Sequence, residues 1–357
     1  MKRLAALLLL LPACALAHAA HPAPVPTQEI HGERLDQFLS YVEDNNGGIG
    51  SISIFKGGRE VYARSFGQNR LPGFAHDADS RYQIASVTKM VTAILVFKLV
   101  EDGRLSLDDR LSDFLPDMPS SRKITVRNLL EHSSGLGNFA VRNGTVWVVD
   151  EVGEPEILEE IKRQGVAFEP GERVAYSNSA YFLLRMILEQ KHGRAYHEIV
   201  AREIAEPLGL GSLASVGSHP ANTFKSYAFA GQWQEIKDIA YTNVIGVGDI
   251  ASTTRDLDVL ITRLFQYGIL RRETLEQMKP ALGSGWGRGL AEFTYGENRF
   301  LGHAGDVLGS HSRVIYNPAD ELAIAYSTNG ERIPTNAFLE TVVGIVYGDE
   351  VVFPQIR

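Results

Sequence analysis

Apolar residues first recur at helical spacing just after residue 29. Ile30, Leu35, Phe38, Leu39 and Val42 predict a helix over residues 30–43, and Asn45-Asn46-Gly47-Gly48 ends it. The pattern then turns extended. Residues 49–55 and 60–66 read as strands joined by Lys56-Gly57-Gly58-Arg59, a β-hairpin. Residues 90–100 carry Val91, Ile94, Leu95, Phe97 and Leu99 and are apolar on nearly every side, which predicts a buried helix closed by Gly103. From residue 116 to about 246 helix and loop signals dominate. A short helix over 125–131 is capped by Thr125, a tight loop follows at 132–136, and helices are predicted over 178–189 and 195–208. Beyond residue 246 the pattern gives a helix over 254–267, capped by Thr253 or Thr254. Strands follow at 285–290, 299–303, 311–317 and 321–328, with Asn317-Pro318-Ala319-Asp320 as a turn, and then a closing helix over 334–347.

Strand signals therefore come from both ends of the chain and helical ones from its middle. The simplest assembly is α/β (α+β): one antiparallel sheet flanked by helices, with a mostly helical domain inserted. The expected boundaries are 30–85 and 250–348 for the α/β part, about 86–249 for the helical part, and a tail over 349–357.

Composition narrows the class of function. A chain of 357 residues has ample core without staples. The net charge is −8, and no basic run is present to neutralise phosphates, which argues against a nucleic-acid partner. Met1-Lys2-Arg3, the apolar run 4–11 and the small residues around 15–19 have the layout of a signal peptide over residues 1–19. A Pro-rich linker, 20–29, follows. Export to the periplasm or medium is expected. Leu11-Pro12-Ala13-Cys14 is similar to a lipobox, so the alternative is an outer-membrane lipoprotein anchored through Cys14. Cys14 is the one cysteine, and the mature domain then has no thiol nucleophile, disulfide or Cys-ligated metal. The histidines show no metal-ligand spacing and read as surface or structural residues.

Three constellations carry chemistry. Ser86 and Lys89 stand three apart where a helix begins, so they share a face. A serine hydroxyl needs a group to take its proton, and a lysine with lowered pKa can do so. Alone, the same pair is equally a helix start. Tyr176-Ser177-Asn178 precedes a helix. Tyr176 can act as a base if a cation such as Lys89 lowers its pKa, and Asn178 can bond a lysine or a substrate carbonyl. Ser177 and Asn178 also suit a helix cap. His303-Ala304-Gly305 ends a predicted strand, whose edge offers free N–H and C=O groups, and its small pair admits close backbone approach. The amide of Ser86 with one from residues 306–308 would make an oxyanion hole.

In this order the three constellations resemble the penicillin-recognising serine hydrolases, and most closely the class C β-lactamase-like family of β-lactamases, DD-peptidases, esterases and D-amino-acid peptidases. Further phrases of the family are similar too: residues 100–109, Leu130-Glu131-His132-Ser133-Ser134-Gly135-Leu136, Phe168-Glu169-Pro170-Gly171 and Gly246-Val247-Gly248-Asp249-Ile250-Ala251-Ser252-Thr253. The resemblance implies Ser86 as nucleophile and Lys89 and Tyr176 sharing proton transfer. It implies Asn178 orienting Lys89 and the substrate amide, and His303, Ala304 and Gly305 as the substrate-binding third motif. It implies the family's β-lactamase/transpeptidase-like fold with the site in a crevice, a small-molecule or peptide substrate, and no cofactor. Histidine at 303 departs from the lysine of true class C β-lactamases. That points to an esterase or D-Ala-type peptidase ahead of β-lactam hydrolysis. Arg299 and Arg313 could hold a carboxylate but read as solvent-facing. The loops 137–165 and 211–245 are expected to line the site. The competing expectation is a non-catalytic penicillin-binding or peptidoglycan-recognising module.

Overall fold

The computed structural model describes residues 30–71, 80–280 and 285–356. The leader, the linker and Cys14 lie outside the described residues. The hairpin at the start of the domain is β1 (Gly48–Lys56) and β2 (Arg59–Phe66). The C-terminal strands are β3 (Ala291–Tyr295), β4 (Asn298–Asp306), β5 (His311–Asn317) and β6 (Leu322–Glu331). They form one six-stranded sheet in the order β3-β4-β5-β6-β1-β2, antiparallel throughout. The sequence-distant β1 and β6 pair along their whole length, from Gly48 opposite Glu331 to Lys56 opposite Leu322, and this joins the two ends of the chain.

Alternation along β6 explains the layering, because successive side chains of a strand point to opposite faces. Leu322, Ile324 and Tyr326 pack on one face against α1 (Gly32–Asp44) and the closing helix Thr335–Tyr347. Ala323 and Ala325 face the other way, toward α4 (Thr254–Phe265). Thr253 caps α4 by accepting from the Asp256 amide. On that second side lies α2 (Thr88–Glu101), with eleven of its residues from Thr88 to Leu99 buried. Such an all-round apolar helix must be enclosed. It packs against α3 (Asn178–His192).

Several expectations need correction. Residues 285–290 form no strand. Gly285 and Gly289 sit at φ 69° and 89°, a region incompatible with extended pairing, and the strand begins only at Ala291. The helix expected over 195–208 changes winding at Ala201–Ala205, which form a π-helical turn between Tyr196–Val200 and Glu206–Leu208. Helices Glu154–Gln164 and Arg272–Met278 are present although neither was expected. Among the described residues no helix is long and apolar enough to cross a membrane.

Candidate active site

Ser86 lies in a single 3-10 turn, Ala85–Val87, that feeds into α2. Ala85 is at φ 48°, a conformation that costs free energy for a residue with a Cβ. This kink sets Ser86 at the N-terminal end of the helix, where the backbone dipoles favour negative charge. The turn rests on β4. A Cβ on Gly305 would come 2.1 Å from the Ile84 carbonyl oxygen and 2.9 Å from the Ser86 nitrogen. The space left by this glycine is therefore filled by the serine's own turn, whereas the sequence had suggested an approaching substrate.

Lys89 Nζ lies 2.9 Å from Ser86 Oγ and 2.9 Å from the Val247 carbonyl oxygen. The lysine is wholly buried, and desolvation holds its pKa well below the ordinary ammonium range. A neutral amine has two N–H donors and one lone pair. With one N–H directed at Val247, the lone pair is available to the serine hydroxyl.

Tyr176 donates its hydroxyl to Ser86 Oγ at 2.7 Å. Loss of water around this hydroxyl raises its pKa, and the Asp306 carboxylate adds to the rise. The sequence had suggested that a Lys89 cation would make Tyr176 a phenolate. Loss of water around the two polar groups works against this, lowering the Lys89 pKa and raising that of the Tyr176 hydroxyl, although the tyrosine as a residue is exposed. His132 holds the tyrosine from behind, with ring centroids 4.6 Å apart. Its Nδ1 accepts from the Ser177 amide at 3.2 Å, which leaves the proton on Nε2, and burial keeps the ring neutral. His132 is thus a structural residue, but one inside the site and not at the surface.

Asn178 begins α3 and makes no hydrogen bond to Lys89. Its Nδ2 donates to Asn138 Oδ1 at 2.9 Å, and that oxygen also accepts from the Ala140 amide at 3.2 Å. The Ala140 N–H fixes which way round Asn138 sits, and Asn138 fixes Asn178. Asn178 Oδ1 is left buried with no partner in a pocket that also exposes Ser86. Buried polar atoms are normally satisfied, so an orphan acceptor beside a reactive serine is set for a substrate N–H or a water.

The third motif lies on β4. His303 is buried, its Nδ1 is 2.7 Å from the Ala304 carbonyl oxygen, and its ring meets Trp286 edge-on at 6.1 Å. Burial above all pushes its pKa down to about 3, so it carries no charge at neutral pH. Pairing with β3 ends at Gly302, which leaves that edge of residues 303–306 open as the sequence suggested. The Val307 amide donates to Ser310, so of residues 306–308 it is already engaged. Arg313 is buried and not solvent-facing: its Nη1 lies 3.0 Å from Asp306 Oδ1. Arg299 is exposed and pairs with Glu292.

The pocket in front of Ser86 holds about 330 Å³. Its walls are chiefly apolar, from Ala140, Val141, Val146, Val148, Ile239 and Leu308, and its polar groups come from Ser86, Asn138, Asn178 and Asp306. Both loops expected to line the site contribute. No lysine or arginine is among these wall residues. Sequence reasoning missed Asn138, Trp286 and the Val247 carbonyl. Val247 lay in a phrase already singled out, and Asn138 in a loop expected to line the site.

A serine contacted by a buried amine and a phenol, at the head of a buried helix and against a sheet edge, is the arrangement of a serine hydrolase. The family model described as Beta-lactamase matches residues 41–344, and the chain belongs to that family. It is 24% identical over 337 residues to penicillin-binding protein 4* of Bacillus subtilis, covering 86% of this chain and 74% of that protein. It is 24% identical over 258 residues to the teichoic acid D-alanine hydrolase of Staphylococcus aureus, covering 69% of this chain and 62% of that protein, less than two thirds of its length. Among solved structures, the D-amino acid amidase from Ochrobactrum anthropi SV3 complexed with L-phenylalanine superposes with a TM-score of 0.76 at 26% identity, covering 88% of this chain and 98% of that one. The octameric penicillin-binding protein homologue from Pyrococcus abyssi gives 0.74 at 26% identity, covering 89% and 78%. The fold is thus the β-lactamase/transpeptidase-like one, and the protein is a β-lactamase-family serine hydrolase.

Proposed function

We propose that Ser86 is the nucleophile of an acyl-enzyme cycle on a small ester or amide. Lys89, its pKa lowered by burial, takes the Ser86 hydroxyl proton as Oγ attacks the substrate carbonyl carbon. The oxygen that gains charge is held by the Ser86 amide at the head of α2 and by the Asp306 amide on the open edge of β4. As the bond to the leaving group breaks, the proton on Lys89 passes through the Tyr176 hydroxyl to the leaving oxygen or nitrogen, and Tyr176 ends neutral as it began. Water then attacks the acyl-serine by the same path in reverse. Asn178 Oδ1 accepts from a substrate N–H.

The observation that carries this reading is the pair of contacts on Ser86 Oγ, 2.9 Å from Lys89 and 2.7 Å from Tyr176. The substrate reading rests on the pocket. Its apolar walls suit a small acyl group, its described residues include no cation, and His303 is neutral. Nothing there matches a substrate carboxylate, which ranks β-lactams and peptides with a free C-terminus below simple esters. The orphan Asn178 oxygen suits a substrate bearing an N–H donor. This agrees in kind with relatives named as a D-alanine hydrolase and a D-amino acid amidase. We therefore read the protein as a carboxylesterase or D-aminoacyl hydrolase. The signal-peptide-like layout of residues 1–19 supports export, with the protein either soluble or tethered through Cys14.

Three substrate panels test this: short-chain nitrophenyl esters, D- and L-amino-acid amides, and a penicillin. Turnover of an ester or a D-amide that exceeds penicillin hydrolysis is expected. Faster hydrolysis of the penicillin, or turnover of none, would overturn the reading.

A further inference from the structure

The phrase Gly246-Val247-Gly248-Asp249 has no part in the chemistry above except for one carbonyl. That carbonyl is the second partner of Lys89, at 2.9 Å. A lysine has four rotatable carbons and is a poorly defined base unless something fixes its amine. Binding one N–H to Val247 turns the lone pair toward Ser86, so the position of this carbonyl matters to the reaction.

The turn is clamped from several sides. The Gly246 carbonyl accepts from Thr92 Oγ1 at 2.7 Å, and the Ile250 amide donates to Thr88 Oγ1 at 3.1 Å. Thr88 and Thr92 flank Lys89 on α2, so one helix both carries the base and grips the turn that orients it. The Val247 and Gly248 amides both donate to the Val244 carbonyl, at 2.9 and 2.8 Å. Gly246 sits at φ 74°, and a Cβ there would lie 2.5 Å from Arg185 Cβ, so the chain has no slack on that side.

The remaining restraint is Asp249. It is fully buried, and its Oδ1 accepts from the Gly246 amide at 2.7 Å, closing the turn on itself. Its Oδ2 accepts from the Ser215 hydroxyl. No lysine or arginine is among these partners. A buried carboxylate without a cation is costly, and burial pushes its pKa up to about 6. We propose that Asp249 is a positioning residue for Lys89: its carboxylate ties back the Gly246 amide and so holds the Val247 carbonyl against the lysine amine. The proposal rests on the reading of Lys89 as the base for Ser86.

The test follows the phosphonylation of Ser86 by a fluorophosphonate in the full protein, measuring the rate constant separately from the final stoichiometry. Asp249→Val keeps an apolar side chain in the space but removes both acceptors. It is expected to slow the reaction about 10- to 100-fold at full stoichiometry, the effect of misplacing a reacting group by about 1 Å. Asp249→Asn keeps an oxygen for the Gly246 amide and turns its NH₂ toward Ser215. It is expected to restore the rate to within about threefold, since only geometry and not charge is required. Ser215→Ala loosens the same carboxylate without freeing the turn and is expected to stay within about threefold, as the site geometry is kept. Asp249→Ala replaces the valine variant should that not fold. A wild-type rate in the valine or alanine variant, equal slowing in Ser215→Ala, or failure of asparagine to rescue would each overturn the proposal. Wild-type protein that is not labelled on Ser86 would overturn the base-and-nucleophile reading itself, before any variant is compared.

Discussion

Adding one methyl group at Gly305 should disable the site without touching a reacting side chain. The Cβ of an alanine would stand 2.1 Å from the Ile84 oxygen, 2.9 Å from the Ser86 nitrogen and 3.1 Å from the Ala85 Cβ. Real Cβ contacts do not fall below 3.0 Å. The serine turn and β4 must therefore part by about 1 Å, a displacement that can cost about 100-fold in rate. The clash is with backbone, which cannot swing aside as a side-chain tip could. Overpacking of this kind typically costs about 1–3 kcal/mol, well within what a chain of this size tolerates. Gly305→Ala should thus fold, melt a few degrees lower and phosphonylate Ser86 about two orders of magnitude more slowly. Stopped-flow or timed mass spectrometry with a fluorophosphonate measures the rate, and calorimetry checks the fold. A folded Gly305→Ala with a rate within about threefold of wild type would refute the tight seating of the serine turn on β4.

Other expectations follow from the same geometry. Ser86→Ala should abolish turnover with a change in stability under about 1 kcal/mol, because a partly open hydroxyl contributes little to folding; calorimetry beside an ester assay checks both. Lys89→Ala should lose acylation, and retained labelling would remove it as the base. The pH profile of acylation has a worked sign. Lys89 is active as the neutral amine and its pKa lies below the ordinary value, so the rate should fall on acidification through that lowered pKa. For the same reason this lysine costs stability at neutral pH, since the unfolded chain binds the proton more readily. His303, pushed down to about 3, should give no inflection near the usual histidine pKa of ~6.5. A limb near that value that vanishes in His303→Gln would contradict its burial.

Much of the site was legible because its chemistry is local. Ser86 and Lys89 are one helical turn apart, and Tyr176-Ser177-Asn178 abuts a helix that Ser177 caps by accepting from the Ala180 amide. That one antiparallel sheet draws on strands from both ends of the chain was also readable, although which strands pair was not. The unread features depend on contacts between distant segments. Lys89 Nζ is enclosed by segments distant in sequence, with the Val247 carbonyl and the Tyr176 and Tyr181 rings beside it, so no local pattern could tell which way the pKa values of Lys89 and Tyr176 shift. Arg313 read as solvent-facing because arginines usually are, yet it is buried and pairs with Asp306. The orphan oxygen of Asn178 depends on Asn138, forty residues away. The strand expected at 285–290 failed on backbone grounds, since glycines at positive φ interrupt it.

The central claim is that Ser86 is the one acylated nucleophile. Its most direct test is the intact mass of the purified protein after brief fluorophosphonate exposure, followed by peptide mapping. A single adduct on the peptide containing Ser86, absent from Ser86→Ala, is expected. An adduct on any other residue, or an unmodified protein whose fold is intact, would contradict the account.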